Sequence, residues 1–180
     1  MRKYKSKIVV VPLGEVDFFQ INKLAGNLSA LFSLPSDILQ GMKIPKEAYN
    51  ITRNQFFSAV ILQKLEILKA NRREIILGIL EEDIYNTTGA YIIADSDQLS
   101  KCAAVSYFRI RQEFYGLPED ETLVYKRILK ESSKHIGKLL GLKLCRNPRC
   151  VMYYSDDMYD IDQKTEKLCD ICQRTYYKIR

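Results

Sequence analysis

Histidine is nearly missing from this 180-residue chain, where His135 is the single example. One imidazole cannot supply the two or three nitrogen ligands of a histidine-bound metal, and it leaves no base for a cysteine nucleophile. Cys102, which opens an apolar run, therefore reads as a small buried hydrophobe, and His135 as a satisfied, partly buried side chain. Long apolar runs are also lacking. Near the start only residues 8–13 are continuously apolar, and they lead into a charged helix, which argues against both a signal peptide and a membrane span. Cytoplasm is the expected location, with no membrane partner. Low-complexity tracts and internal repeats are absent as well, so solenoids and disordered tails are not indicated.

What is present fits one principal domain with a small appendage. Apolar residues make up 47% and charged residues 28%, and the formal net charge is +6. That charge is uneven. Residues 1–123 carry 15 Lys and Arg against 15 Asp and Glu, whereas residues 124–180 carry 13 against 7. An anionic partner would meet the C-terminal third first, although a lysine-rich surface also serves solubility alone.

Along the chain, residues 7–13 (KIVVVPL) form a β-branched run predicted to be a buried strand. A helix follows, with Val16, Phe19, Ile21, Leu24, Leu28 and Leu31 on one face, up to the break at Pro35. A strand is expected at 37–42, a loop at 45–52 and a second helix at 53–71. Residues 74–85 are expected to form a central strand. Two further strands, 91–95 and 103–110, are predicted on either side of the polar turn 97–101. The resulting strand–helix alternation points to a sheet flanked by helices. Acidic residues 119–121 open a third helix that carries Val124, Ile128, His135 and Leu139 on one side and ends at Gly141. Beyond it the periodicity fades. Residues 145–172 need a constraint other than a core.

The cysteines offer that constraint. Cys145 and Cys150 are separated by four residues, Cys169 and Cys172 by two, and eighteen residues lie between the pairs. Two such knuckles can surround one zinc with four thiolates, and Arg146, Arg149, Lys167 and Arg174 would favour ionised thiols. Disulfides or free thiols are the competing readings. A four-thiolate site has no open position for water, so this zinc would be structural rather than catalytic.

Cys145-x4-Cys150, Met152 and Cys169-x2-Cys172 together resemble the structural zinc signature of the archaemetzincins, a family of metzincin-type zinc metallopeptidases. Segments IVVVPLGEV, AYNITRNQFFSAVIL, IILGILEEDIY and AAVSYFRI are similar to family segments in the same order. The resemblance implies an α+β fold: a metzincin-like mixed sheet packed with helices, an active-site-type helix, and a small C-terminal zinc subdomain built on four cysteines. Residues 1–141 would form the α/β part and residues 142–180 the zinc part.

In that family the first cysteine directly follows a helix of pattern HExxHxxGxxH, and here the frame reads KHIGKLLGLKL, residues 134–144. Lys134, Lys138 and Leu144 stand at the three histidine positions and His135 at the glutamate position. Gly137 and Gly141 fit the pattern, and Met152 matches the methionine beneath the metal. Metzincin hydrolysis needs three imidazoles to hold zinc with an open site and a carboxylate to take a proton from the bound water. Leu144 has no lone pair, and ammonium groups repel a divalent cation. The expectation is an inactive homologue with one structural zinc and no catalytic zinc, binding an extended peptide or protein along an edge strand near residues 91–95.

Three other readings stay open. Lys126, Lys130, Lys134 and Lys138 recur every four residues and form a stripe that is usually solvated, although Lys134 and Lys138 would replace the missing cation if they bond carboxylates or carbonyls. A nucleic-acid or acidic-partner module would use Lys143, Arg146, Arg149 and the tail RTYYKIR. Altered chemistry based on His135 or a lysine is the last. Asp156, Asp157, Asp160 and Asp162 lack the pattern of a calcium loop and read as a solvated acidic segment.

Overall fold

The computed structural model describes residues 6–180, without the side chains of Phe18 and Phe19. The basic start at residues 1–5 and the expected core position of Phe19 lie outside the described residues. In chain order the elements are β1 (Lys7–Leu13), α1 (Phe18–Phe32), β2 (Ser36–Ile38), β3 (Tyr49–Asn50), β4 (Gln55–Phe57), α2 (Ser58–Ile67) and β5 (Glu74–Leu80). There follow β6 (Ile84–Tyr85), β7 (Ala94–Asp97), β8 (Cys102–Ser106), α3 (Glu121–Leu139), α4 (Met158–Gln163) and α5 (Asp170–Ile179).

The main sheet has the order β2-β1-β5-β8-β7, parallel except for the antiparallel edge strand β7. The stiff Ile-Val-Val-Val run of β1 lies between two parallel neighbours, as a strand buried on both faces should. Alternate residues divide between two cores. Ile8, Val10, Ile75, Leu77, Ala103 and Val105 face α1 and α3. Val9, Val11, Ile76, Leu80, Cys102 and Ala104 face α2. The expected mixed sheet packed with helices is present, and Cys102 is fully buried in it.

Several predicted boundaries shift. The second helix begins at Ser58 rather than at residue 53, because Gln55–Phe57 pairs in a small sheet of order β3-β4-β6. Phe56 N donates to Asp83 O, and the Gln55 amide donates to Asp83 and to Ala90 O, so tertiary hydrogen bonds override helix periodicity there. The loop at 45–52 contains a 3-10 turn and β3, and the strand at 37–42 is reduced to Ser36–Ile38. The expected single strand at 74–85 breaks after Leu80 and resumes as β6. The strand near 91–95 is displaced to Ala94–Asp97 by its register with β8, and the strand at 103–110 ends at Ser106 before a 3-10 turn at Phe108–Ile110.

α3 is bounded by local chemistry. The Asp120 carboxylate caps it by accepting from Leu123 N at 2.9 Å. At the other end Gly141 takes φ +102°, while Gly141 N donates to Lys138 O and Leu142 N to Gly137 O, both at 2.9 Å. This pair is a Schellman cap with the buried Leu142 closing it. Cys150, Val151, Met152, Ile161 and Tyr176 join the same apolar cluster as Ile8 and Ile136. The Tyr176 hydroxyl donates to Phe32 O at 2.7 Å, fastening α5 to the end of α1. No helix among the described residues is long and apolar enough to cross a membrane.

Met152 is fully buried, and a Cβ placed on Gly137 would meet its Sδ at 2.4 Å. The helix therefore rests on the methionine through a missing side chain. Gly137→Ala gains ~1 kcal/mol of helix propensity but obliges the fully buried Met152 side chain to shift. The expected result is a net loss of about 1–2 kcal/mol. Met152→Ala should relieve the clash, so chemical denaturation of the double variant should show a smaller loss than the sum of the single losses.

Candidate functional site

α3 carries the altered motif under the edge of the sheet. A cleft of ≈ 530 Å³ lies between α3, the segment 86–95 and residues 154–156, with Lys134, His135, Lys138 and Leu144 in its lining. Lys134 and His135 are buried, Lys138 is half-buried and Leu144 is half-exposed at the mouth. All four residues of the altered motif are thus brought together at one cleft.

The stripe of lysines is solvated only in part. Lys126 is exposed, but Lys130 donates to Ile161 O at 3.1 Å and Lys134 is sequestered, because the chain from 153 to 165 folds back across that side of the helix. At the centre of this contact is Glu131, 1% exposed. Its Oε2 lies 2.5 Å from Lys134 Nζ and its Oε1 2.6 Å from Lys164 Nζ. The Ser155 hydroxyl donates to Glu131 Oε1 at 2.7 Å and accepts from Lys134 at 2.7 Å and from Lys164 at 2.8 Å. Lys134 thus bonds a carboxylate and a hydroxyl, with the Ser155 carbonyl at 3.5 Å. The i,i+3 spacing of Glu131 and Lys134 is visible in the sequence. Lys164 and Ser155 approach only through the chain reversal and carry no local signal.

These contacts set the ionisation of the site. Burial alone would raise the Glu131 carboxyl, but the Lys134 and Lys164 ammonium groups outweigh it and hold the group at about 2. Burial brings Lys164 down to about 8 against the pull of Glu131, which leaves it mostly charged at neutral pH. Burial, reinforced by repulsion from Lys134, pushes His135 well below its ordinary 6.5, and its Nδ1 lies 3.0 Å from Ser96 Oγ on β7. It is a neutral imidazole bonded to the edge strand. Burial and the neighbouring Lys134 also lower Lys138.

Across Gly141 from the cleft, the four cysteine sulfurs of Cys145, Cys150, Cys169 and Cys172 all lie within 4.8 Å of one another. The Cys145 and Cys169 sulfurs are 3.7 Å apart, close to the spacing of roughly 3.8 Å that tetrahedral coordination with ~2.3 Å zinc–sulfur bonds requires. Asn147 N approaches Cys145 Sγ at 3.4 Å and Cys169 N approaches Cys150 Sγ at 3.3 Å. Backbone donors aimed at sulfur suit thiolates, so this donor set fits a zinc ion, which would crosslink the chain reversal. Among the described residues it is the group of three or more metal-ligating side chains close enough to hold an ion.

The acidic segment has other partners. Asp162 makes two hydrogen bonds to the buried Arg127, at 2.8 and 2.6 Å, Asp157 caps α4, and Asp160 accepts from Asp156 N. Lys143, Arg146 and Arg149 are exposed, whereas of the two tail tyrosines Tyr176 is buried and only Tyr177 faces solvent.

The helix over a methionine, followed by a four-cysteine cradle on a mixed sheet, is the architecture of a zinc-peptidase scaffold, and sequence comparison agrees. The profile of peptidase family M54 matches residues 23–178. The archaemetzincin of Methanocaldococcus jannaschii is 36% identical over 166 residues, 92% of this chain and 90% of that protein. That of Pyrococcus furiosus is 31% identical over 176 residues, covering 94% and 92%. Among solved structures, a zinc-dependent peptidase from Methanocorpusculum labreanum superposes with a TM-score of 0.86 at 25% identity, over 94% of this chain and 99% of that one. The Archaeoglobus fulgidus archaemetzincin, complexed with malonate, gives 0.79 at 29% identity over 93% and 98%. This chain belongs to peptidase family M54, the archaemetzincins.

The buried charges predict a two-stage acid response. His135 stays neutral in the fold, whereas the unfolded chain takes up a proton below 6.5, so stability should begin to fall below that pH. The contribution of Glu131 is complete above its ordinary 4.5 and is lost as pH falls from 4.5 towards 2, an effect of ~3 kcal/mol. His135→Gln should flatten the upper stage and leave the lower one in thermal melts across pH. Glu131→Gln at neutral pH strands two ammonium groups and should cost about 3–5 kcal/mol.

Proposed function

We propose that this chain is a catalytically inactive archaemetzincin homologue that keeps one structural zinc and binds an extended peptide or protein segment without cutting it, acting in the cytoplasm. The observation that carries the reading is the Lys134 ammonium, seated at the first histidine position of the family frame and engaged by Glu131 and Ser155. An ammonium has no lone pair for a metal and no empty orbital for a water. Lys138 and Leu144 likewise offer no imidazole, and His135 offers no carboxylate. The chemistry that polarises a peptide carbonyl and generates hydroxide at neutral pH is thus without its parts.

Binding is a separate capacity. β7 is the edge strand and lies above α3, tied to it through Ser96 and His135. Ser106 N donates to Ile93 O, so by antiparallel alternation the peptide groups of Ala94 and Ser96 point away from β8; Ser96 N already donates to the Asp95 carboxylate, and an added strand would pair with the Ala94 peptide groups and the Ser96 carbonyl. The zinc at Cys145, Cys150, Cys169 and Cys172 would order residues 142–180 as a small unit behind the 1–141 part. The exposed cluster of Lys143, Arg146 and Arg149 favours a second reading, in which nucleic acid or an acidic partner docks there. Such binding would weaken steeply with salt, whereas strand addition would not.

Elemental mass spectrometry on protein purified without added metal should give one zinc per chain, falling towards zero in a Cys145→Ser, Cys150→Ser variant. Peptide libraries incubated with the protein should be recovered uncut. Two zinc ions per chain, or cleavage that a chelator abolishes, would overturn the proposal.

A further inference from the structure

Lys134 and Lys138 line the cleft together with the carboxylates of Asp95, Glu131 and Asp156, so what is unmatched is one ammonium group and not the total charge. Glu131 serves both Lys134 and Lys164, so two ammonium groups share one carboxylate. Lys138, one turn further along α3, lines the cleft half-buried, and its ammonium makes no hydrogen bond or ion pair with any described residue. The acidic groups nearest to hand are already engaged. Asp95 Oδ2 accepts from the Ser58 hydroxyl at 2.6 Å and its Oδ1 from Ser96 N at 2.8 Å, although its charge still attracts Lys138 at longer range. Asp156 also lines the cleft, where its carboxylate raises the neighbouring Tyr154 hydroxyl. His135, between the two lysines in sequence, is neutral and bonded to Ser96.

We infer that the cleft selects an extended segment carrying an aspartate or glutamate side chain, whose carboxylate pairs with the Lys138 ammonium. The inference rests on the peptide-binding reading above and adds what the peptide must carry. An ammonium partly withdrawn from water and lacking a partner is poorly solvated, and an incoming carboxylate restores the missing interaction through a charge-assisted hydrogen bond. A mid-chain side chain fits better than a chain end, because the outward peptide groups of Ala94 and the outward carbonyl of Ser96 allow a strand to run past β7 while alternate side chains turn towards α3. Tyr91, Leu144 and Tyr154, all substantially exposed at the cleft, supply apolar contact on either side of such a carboxylate. A lysine or arginine at the same peptide position would meet Lys138 and Lys134 and be rejected.

The test uses N-acetylated, C-amidated octapeptides with one position fixed at a time, so that side chains are the only carboxylates, with binding read by fluorescence anisotropy. The expected result is one position at which Glu or Asp binds about tenfold more tightly than Gln or Asn. Lys138→Met should erase that ratio, Lys138→Arg should keep it, and Lys138→Glu should turn the preference towards Lys. If peptides bind with no acidic preference, or the preference survives Lys138→Met, the inference fails while the peptide-binding reading stands. If the amidated peptides fail to bind and the same sequences with a free C-terminal carboxylate, run as a second set, do bind, the side-chain assignment is overturned. If no peptide of any composition binds, the peptide-binding reading itself fails and this inference falls with it.

Discussion

One carboxylate holds this molecule's distinctive region in place. Glu131 is enclosed by α3 on one side and by the returning chain at 153–165 on the other, and both of its oxygens are engaged, by Lys134, Lys164 and Ser155. A buried charge is tolerable only when it is paired and its remaining lone pairs are satisfied. Here the partners come from both segments, so the cluster can be satisfied only when the chain reversal is docked. The salt bridge is therefore more a device for specificity than a source of net stability. It makes one arrangement of the 153–165 segment far better than any other.

The same reversal brings three further things together. Met152 seats under Gly137, where the lack of a side chain lets the sulfur approach the helix, and Cys145 N donates to Met152 O at 2.9 Å, so the methionine and the first cysteine are fixed by one short bridge. Gly141 turns the chain out of α3 with a left-handed residue and points it at the cysteine cradle. Arg127, nearly fully buried, reaches Ile110 O and the carboxylate of Asp162, which ties the start of α3 to the end of α4. Helix, methionine, cysteines and buried ions thus form one connected unit. Disturbing the zinc cradle would loosen the floor of the cleft even though no cysteine lines it.

Much of this is legible in the sequence where the signal is local. The Val-rich strand, the terminating Gly141 and the paired cysteine knuckles each depend on the chemistry of neighbouring residues, and each falls where the pattern places it, while Asp120, expected inside the first turn of the third helix, stands one residue before it as the cap. The helix expected from residue 53 and the strand expected through residue 110 differ from the structure because backbone hydrogen bonds to distant strands, through Asp83 O and Leu80 O, override local periodicity there. The four-residue lysine repeat misleads for a related reason. Periodicity reports which residues share a helix face and says nothing about what folds over that face. A chain reversal 21 to 33 residues downstream turns an apparently solvated stripe into the wall of a buried ion cluster.

The substitutions in the catalytic frame have a consistent electrostatic sense. In an active relative the floor of the cleft would hold a zinc dication among neutral imidazoles, a centre that both attracts anionic oxygen and accepts its lone pair. On the proposed reading, Lys134 and Lys164 are matched by Glu131, and Lys138 keeps a positive group in a cleft that Asp95 and Asp156 also line, but those two properties are separated. An ammonium attracts a carboxylate oxygen and donates a hydrogen bond to it, yet it cannot accept electron density and cannot bring a bound water's pKa near neutrality. Recognition needs the first property and hydrolysis needs the second. On that reading, a cleft that exchanges imidazole for ammonium would lose its chemistry and keep a group that attracts anions, so loss of turnover and retention of a ligand would belong to the same set of substitutions.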